Sequence, residues 1–309
     1  MGYSRWSDDD WASYSTTTAT KSKSAIFKSH SMDADLNPLN VAMREARDSD
    51  ANPESTPIIV GVDVTGSMGH LAEQIVRTGL GTLFNEILDR KPVTDPQLMS
   101  MAIGDGYSDK APLQVSQFEA DLKCAEWLEK IWLEGNGGGN NTESYDLPYY
   151  FAANHTSHDA FEKRGKKGYL FTMGDEFPPT YTKKEYVTDV INSEGDGMQD
   201  DILFTDVIAQ AEKMYNCFHI IIAEGYCASR DPEGVKEAWQ KTMGQRAIWL
   251  EDHTKLSETI VSLIQVIEGE DKDKVAASWG GDTALVVGNA IKDLDAVDAF
   301  NAAKDVVRF

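Results

Sequence analysis

The sequence predicts an α/β fold in which helices flank a doubly wound, mostly parallel sheet, with an N-terminal arm and a C-terminal helical tail. Two observations carry this prediction. Short apolar runs of strand length, such as residues 57–62 and 218–223, recur along the chain, and segments with apolar residues at helical spacing separate them. Continuous apolar runs are typical of parallel strands that are covered on both faces. Alternating strands and helices build such a sheet through right-handed crossovers.

The predicted elements follow one another from residue 57 to residue 267. Strands are predicted at 57–62, 98–103, 169–173, 218–223 and 247–250. Helices are predicted at 68–88, 118–133, 145–153, 204–215, 235–243 and 256–267. The chain is therefore divided into an arm at 1–55, a main domain at 56–267, and an acidic linker with a C-terminal helix at 268–309.

The two terminal regions differ in composition from the main domain. The arm is rich in serine and threonine but also contains aromatic residues, which disordered linkers generally lack. We expect it to pack on its own domain rather than on another subunit. In the tail, a charged run at 268–274 precedes an apolar stripe at 284–300, which covers the main domain or binds a partner.

The charge balance excludes several classes of partner. The chain has 29 Lys and Arg against 51 Asp and Glu, a formal net charge of −22. Because nucleic acids and anionic membranes are bound through basic side chains, we expect neither as a partner. The sequence lacks a bilayer-spanning apolar run and a signal-peptide pattern, and its three cysteines contain no C-x-x-C pair. We expect a protein of the cytoplasm, or one that is assembled inside a cell.

Oxygen-bearing side chains follow two of the predicted strands and one Gly-rich loop. Ligands of open parallel sheets bind beyond the carboxyl ends of the strands, so these three segments could converge. Hydroxyl and carboxylate oxygens, without His or Cys, are the ligands of Mg²⁺ or Mn²⁺ rather than of zinc. The candidate metal ligands are Asp63, Thr65, Ser67, Thr142 and Asp175, with Asn140 and Asn141 as alternatives within the loop.

The order of these segments resembles a known family. Three segments are similar, in this order, to the metal-ion-dependent adhesion site of von Willebrand factor A (VWA) domains. They are Asp63-x-Thr65-x-Ser67 after the strand at 57–62, the Gly-rich loop at 137–142, and Asp175 after the strand at 169–173. The similarity covers about 57–267. The complete chain is similar to poorly characterised VWA proteins of bacteria and their phages.

The resemblance implies a Rossmann-like fold and a function based on coordination rather than on turnover. In this family the metal is held with little negative charge, so that it accepts an Asp or Glu carboxylate from a partner protein. Bacterial members often act beside AAA+ ATPases. The resemblance therefore implies a non-enzymatic adhesion or adaptor module, whose partner is an AAA+ ATPase or an assembly of its own subunits.

Two other functions compete with this one. A haloacid-dehalogenase-like phosphohydrolase would use Asp63 as nucleophile and Asp175 as magnesium ligand, but its usual second acid is replaced here by Thr65, which cannot donate that proton. A structural component, for example of a phage particle, would use the domain as a building block and the aromatic arm as a clasp.

Several single residues have simpler interpretations than chemistry. Ser67 lacks the Gly-x-Ser-x-Gly context of a serine hydrolase, and His70 is interpreted as a surface residue of a helix. His155 and His158 have a metal-pair spacing but no third ligand nearby in sequence. Asp105 and Asp109 would support a second cation or, more commonly, form a turn.

Overall fold

The computed structural model describes residues 29–76, 80–137, 139 and 142–295. Residues 1–28 of the arm, residues 296–309 of the tail, and Asn140 and Asn141 of the Gly-rich loop lie outside the described residues. Within the described part of the chain, no helix is long and apolar enough to cross a membrane.

The strands are short, as in most α/β domains. In chain order they are β1 Arg44–Ala46, β2 Thr56–Asp63, β3 Pro96–Ile103, β4 Leu113–Val115, β5 Thr156–His158, β6 Gly168–Gly174, β7 Tyr181–Thr182, β8 Ile202–Leu203, β9 Tyr215–Ile222 and β10 Ala247–Leu250. The five strands predicted from the sequence are β2, β3, β6, β9 and β10.

Helices separate these strands. They are α1 His70–Gln74, α2 Leu80–Arg90, α3 Lys123–Lys130, α4 Asp146–Asn154, α5 Asp159–Arg164, α6 Lys184–Tyr186, α7 Phe204–Ala211, α8 Tyr226–Arg230, α9 Pro232–Met243, α10 Leu256–Ile267, α11 Lys272–Ala277 and α12 Gly281–Ile291. α6 continues into a π-helical turn at Val187–Ile191.

The central sheet has six strands in the order β10-β9-β6-β2-β3-β4, all parallel except β4. Counted along the chain, this is the 3-2-1-4-5-6 order of doubly wound sheets, with its topological switch point between β2 and β6. The predicted fold class, an α/β sheet of mostly parallel strands flanked by helices, is confirmed.

Both faces of the sheet are covered, which explains the continuous apolar runs. Alternate residues of β2 point to opposite sides, so Ile58 and Val60 belong to one hydrophobic core and Ile59 to the other. The first core lies under α1, α2, α3, α10 and α12. The second lies under α4, α7 and α9.

The described parts of the arm and the tail pack on this domain. Leu36 and Ala46, which precede β2, are buried, and β1 pairs with β5 in a separate two-stranded sheet. In the tail, Val275, Val287 and Ile291 are buried in the core under α10. The predicted linker at 268–274 is partly helical because α11 begins at Lys272.

Candidate functional site

The candidate site lies at the topological switch point of the sheet. Asp63 is the last residue of β2, and Asp175 directly follows β6, the neighbouring parallel strand. Because the strand order reverses between these two strands, their crossovers leave in opposite directions and expose a crevice between them. The fold therefore places two of the predicted ligands at the position where open α/β sheets bind their ligands.

Asp63 is fully buried, and both of its carboxylate oxygens accept hydrogen bonds. Thr65 donates to Oδ1 through its backbone N–H (2.8 Å) and its hydroxyl (2.6 Å). Tyr145 donates its hydroxyl to Oδ2 at 2.6 Å. The ring of Tyr145 packs edge-on against His219 and Trp239, which fixes the direction of this hydroxyl. The Asp63 carboxylate is thus held from two sides.

Ser67 connects this carboxylate to the second one. Its Oγ lies 3.2 Å from Thr65 Oγ1 and donates to Asp175 Oδ1 at 2.7 Å. The side-chain oxygens of Asp63, Thr65, Ser67 and Asp175 therefore form one continuous chain of close contacts. Ser67 is half-buried and the adjacent Gly66 is exposed, so the group opens to solvent on this side.

Backbone from the next crossover completes the support of Asp175. The backbone N–H of Cys227 donates to Asp175 Oδ2 at 2.8 Å, and that of Tyr226 donates to the carbonyl oxygen of Ser67 at 3.2 Å. Gly225 permits this approach, because a Cβ atom there would lie 2.2 Å from Asp175 Cβ. The turn after β9 is therefore shaped around the Asp175 carboxylate.

Thr142, the predicted loop ligand, does not join this chain of oxygens. Its hydroxyl donates to the carbonyl oxygen of Phe177 at 2.9 Å, and residues 142 and 177 form an isolated parallel bridge. The loop alternatives Asn140 and Asn141 lie outside the described residues.

The next residue, Glu143, lies beside the chain of oxygens. The Cα of Gly137 packs between this carboxylate and Thr65, since a Cβ atom at Gly137 would lie 3.3 Å from Glu143 Oε1 and 3.7 Å from Thr65 Cβ. Glu143 is only 3% exposed, and its Oε2 has no hydrogen-bond partner among the described residues. The loop thus contributes a carboxylate to the site.

Glu176 adds a fourth carboxylate. Its Oε1 accepts a weak hydrogen bond from Cys227 Sγ at 3.4 Å, whereas its Oε2 is buried without a partner among the described residues. Its backbone is fixed, because Trp239 Nε1 donates to its carbonyl oxygen at 2.8 Å. We call Asp63, Glu143, Asp175 and Glu176 the acidic cluster.

The acidic cluster concentrates negative charge in a buried place. Burial and the neighbouring Asp175 raise the pKa of Asp63, and burial and Asp63 raise the pKa of Glu143. Burial likewise raises the pKa values of Asp175 and Glu176. Within the described part of the chain, no Lys or Arg forms an ion pair with any member of the cluster.

The donor set fits a hard divalent cation such as Mg²⁺ or Mn²⁺. The atoms that converge on the site are carboxylate and hydroxyl oxygens, and two of the buried carboxylate oxygens have no hydrogen-bond partner among the described residues. Cys227 offers a soft donor beside the site, but burial and the neighbouring Glu176 raise the pKa of its thiol to about 12, which disfavours the thiolate form that binds metals.

The other residues singled out in the sequence have structural roles. His70 is exposed. His155 contacts Asp196 at 2.6 Å, whereas His158 Nδ1 accepts the backbone N–H of Phe161, so the two rings do not share a ligand position. Asp105 accepts hydrogen bonds from Tyr107 N and Ser108 Oγ within the turn after β3.

Glu143, Glu176, Tyr145 and Gly225 were not identified in the sequence. Glu143 and Glu176 each directly follow a predicted ligand, and the argument that selected oxygen donors would have admitted both of these carboxylates. Gly225 lies three residues after the end of β9, so it would have been found by reading the residues that follow this strand as well. Tyr145 gives no such signal, because only the packing of α4 against β6 brings its hydroxyl to Asp63.

No protein-family model and no curated protein matches the sequence. Among solved structures, the pilus adhesin SpaC of Lactobacillus rhamnosus GG is similar to this chain with 11% identity and a TM-score of 0.47, over 73% of this chain and 32% of that one. Proximal thread matrix protein 1 of the mussel byssus is similar with 10% identity and a TM-score of 0.40, over 73% of this chain and 48% of that one. A von Willebrand factor type A protein from Catenulispora acidiphila is similar with 14% identity and a TM-score of 0.36, over 79% of this chain and 52% of that one. The chain thus spans about half or less of the length of each.

Proposed function

We propose that this chain is a VWA-type binding module that holds Mg²⁺ or Mn²⁺ through Asp63, Thr65, Ser67 and Asp175 and binds a protein partner through that ion. The observation that carries the proposal is the continuous chain of side-chain oxygens from Asp63 to Asp175, at the switch point of the sheet. A motif at the end of β2 and an aspartate after β6 meet there, as the order of the motifs in the sequence led us to expect.

The protein's own residues prepare the site for an ion. Tyr145 orients one oxygen of Asp63, and the Cys227 N–H orients one oxygen of Asp175. When bound, the cation supplies an electrophilic centre that can accept a carboxylate oxygen from outside. Fixed ligands of this kind need little rearrangement when the ion enters.

The open side of the site is where a partner would approach. Gly66 and the loop residues 135–137 are exposed, and the backbone N–H of Gly66 bonds to the carbonyl oxygen of Asn136, which holds the loop beside the ligands. Tyr226, which is 57% exposed, lies next to Ser67. We propose a protein partner that offers an acidic side chain, either an AAA+ ATPase or another copy of this chain.

The proposal is tested by cation binding and by capture of partners. Metal-depleted protein should bind Mn²⁺ tightly, as measured by electron paramagnetic resonance. Asp63→Ala should lose this binding while the circular dichroism spectrum is unchanged. Asp48→Ala is the matched control, because it removes a half-buried carboxylate that pairs with Arg164 instead. This variant should bind Mn²⁺ normally.

The partner is sought by affinity purification of the tagged protein from its native cell, with Mg²⁺ and with EDTA in parallel. We expect a partner that Mg²⁺ retains and EDTA or Asp63→Ala releases. Unchanged Mn²⁺ binding in Asp63→Ala would contradict the assignment of the metal site. A partner held equally in both buffers would contradict metal-mediated binding.

We expect no phosphohydrolase activity. Both oxygens of Asp63 accept hydrogen bonds and its side chain is fully buried, whereas a nucleophilic carboxylate must reach a phosphorus atom. Thr65, at the position of the second acid, donates its hydroxyl to Asp63. Mg²⁺-dependent hydrolysis of a generic phosphate ester that is lost in Asp63→Asn would overturn this expectation.

A further inference from the structure

Two members of the acidic cluster have carboxylate oxygens without a hydrogen-bond partner in the described part of the chain. Glu143 is 3% exposed and Glu176 is 7% exposed. The Oε2 atom of each is buried and accepts no hydrogen bond from the described residues. An unpaired buried carboxylate is costly, and each such group in a folded protein needs an explanation.

The other two members differ in this respect. Asp63 accepts three hydrogen bonds, two from Thr65 and one from Tyr145. Asp175 accepts one from Ser67 and one from the backbone N–H of Cys227. Protein donors therefore stabilise the carboxylates assigned to the first cation, whereas they supply little to Glu143 and Glu176.

The charge of the acidic cluster exceeds what one cation neutralises. When all four carboxylates are ionised, as ligands of a cation must be, they carry four formal negative charges, and within the described part of the chain no ion pair with Lys or Arg offsets them. One divalent cation would leave two negative charges in a place with little water. Two divalent cations would neutralise the cluster.

The position of Glu143 gives an ion a route to these oxygens. Glu143 Oε1 lies under Gly137, which is exposed and has no side chain to cover it. On the other side, Glu176 lies beside Asp175 in sequence and contacts Cys227. The two carboxylates thus come from different crossovers, which run side by side here because the neighbouring residues Thr142 and Phe177 form a parallel bridge.

We propose that Glu143 and Glu176 bind a second divalent cation beside the one proposed at Asp63 and Asp175. This inference rests on the proposed function, since the second site adjoins the first. Carboxylate oxygens, supplemented by water, are the ligands of Mn²⁺, Mg²⁺ or Ca²⁺, and here they come from two separate crossovers. The site would then contain a pair of cations rather than a single one.

The experiment counts Mn²⁺ ions bound to the metal-depleted full chain, by isothermal titration calorimetry together with electron paramagnetic resonance. We expect two Mn²⁺ ions per chain. The double variant Glu143→Gln with Glu176→Gln should bind one, because glutamine preserves the size of each side chain but removes its charge. Each single variant tests whether both carboxylates are needed.

A surface cluster provides the necessary control. Glu224, Asp252 and His253 place potential ligand atoms within 4.8 Å of one another, so they could bind Mn²⁺ themselves. His253→Ala should leave the count at two. A count that falls to one in His253→Ala would assign the second ion to this surface cluster and overturn the proposal.

The remaining outcomes separate the two proposals. One Mn²⁺ per chain in the unmodified protein, lost in Asp63→Ala, would overturn the second site and leave the proposed function intact. No bound Mn²⁺ would overturn both. Thermal melting of the variants without metal checks their folding, and we expect Glu143→Gln to melt no lower than the unmodified chain, since it removes an unpaired buried acid.

Discussion

The two ends of strand β2 hold two groups of carboxylates with opposite surroundings. At its carboxyl end lies the acidic cluster, without basic partners among the described residues. Near its amino end lies a second group that we call the ion-pair clamp, formed by Arg47, Asp48, Asp159, Lys163 and Arg164. An eight-residue strand separates them by about 26 Å.

In the ion-pair clamp every carboxylate has a cationic partner. Arg164 contacts Asp48 at 2.7 Å and also donates to the carbonyl oxygen of Ser55, the residue before β2. Asp159 is paired with Arg47 at 3.0 Å and with Lys163 at 2.7 Å. These contacts tie α5 to the segment between β1 and β2, so the clamp has a structural role.

The comparison shows how to distinguish acids that stabilise a fold from acids that are available for a ligand. In the ion-pair clamp the protein supplies the positive charge, and the pKa values of Asp48 and Asp159 are lowered. In the acidic cluster it does not, and the pKa values of all four acids are raised. A cation from solution is what would make the two groups electrostatically alike.

The largest effect should come from displacing a carboxylate of the acidic cluster. In Gly225→Ala, the new Cβ would lie 2.2 Å from Asp175 Cβ, so Asp175 must move away from Ser67. We expect Mn²⁺ affinity to fall about 100-fold, as when a ligand loses its orientation. Gly288→Ala is the control, because its Cβ would lie 3.6 Å from Ala276 Cβ, an ordinary contact. Equal affinities in the two variants, measured by calorimetry, would contradict the role of Gly225.

Mg²⁺ should stabilise the protein through the acidic cluster and not through the ion-pair clamp. At a concentration 100 times its dissociation constant, an ion that binds only the folded state adds about 2.7 kcal/mol. For a chain of this size we expect the melting temperature to rise by about 4 °C. Arg164→Gln should lower the melting temperature with and without Mg²⁺ but preserve the increase, whereas Asp63→Ala should abolish it. An increase that survives Asp63→Ala would place the ion elsewhere.

A smaller effect is expected from the hydroxyl that orients Asp63. Tyr145→Phe removes the donor to Asp63 Oδ2 and keeps the ring packed edge-on against His219 and Trp239. We expect Mn²⁺ to bind about 10-fold more weakly, with the fold retained. Tyr149→Phe is matched to it, because its hydroxyl bonds to Thr172 and to the Phe218 carbonyl oxygen instead. Tyr149→Phe should lose stability but bind Mn²⁺ normally. Weaker Mn²⁺ binding in both tyrosine variants would show that the loss comes from a less stable fold rather than from the orientation of Asp63.

The smallest effect concerns acid stability of the ion-pair clamp. Burial raises the pKa of Asp48, but hydrogen bonds from Arg164 and Ser55 outweigh it and lower the pKa to about 2. Because the folded protein holds this proton less tightly than the unfolded chain, the contribution of Asp48 is complete above about pH 4 and is lost as the pH falls towards 2. We therefore expect the stability difference between the unmodified protein and Asp48→Asn to shrink over that range in urea denaturation. A difference that stays constant down to about pH 2.5 would show that the ion pair is not its source.

Much of the fold is determined by local pattern. Continuous apolar runs mark β2, β6 and β9 because parallel strands are buried on both faces, and helical periodicity marks α7 because one side of it faces the core. The sequence did not reveal β1, β4, β5, β7 and β8, which have two or three residues each and carry no periodicity of their own. Such short strands form only where the tertiary structure brings their partners together.

For the candidate site, the sequence by itself determined that Asp63, Thr65 and Ser67 follow one strand and that Asp175 follows another, and the rule for open parallel sheets placed both at one edge. Only the tertiary structure decided that the loop contributes Glu143 while Thr142 bonds to Phe177, and that Tyr145 and Gly225 support the two aspartates. The physical reason is that a motif records which residues leave a strand end, whereas the direction of each side chain depends on contacts with segments distant in sequence. A shift of one residue along a loop, from 142 to 143, exchanges a hydroxyl for a carboxylate, and only packing decides which of the two faces the ligand.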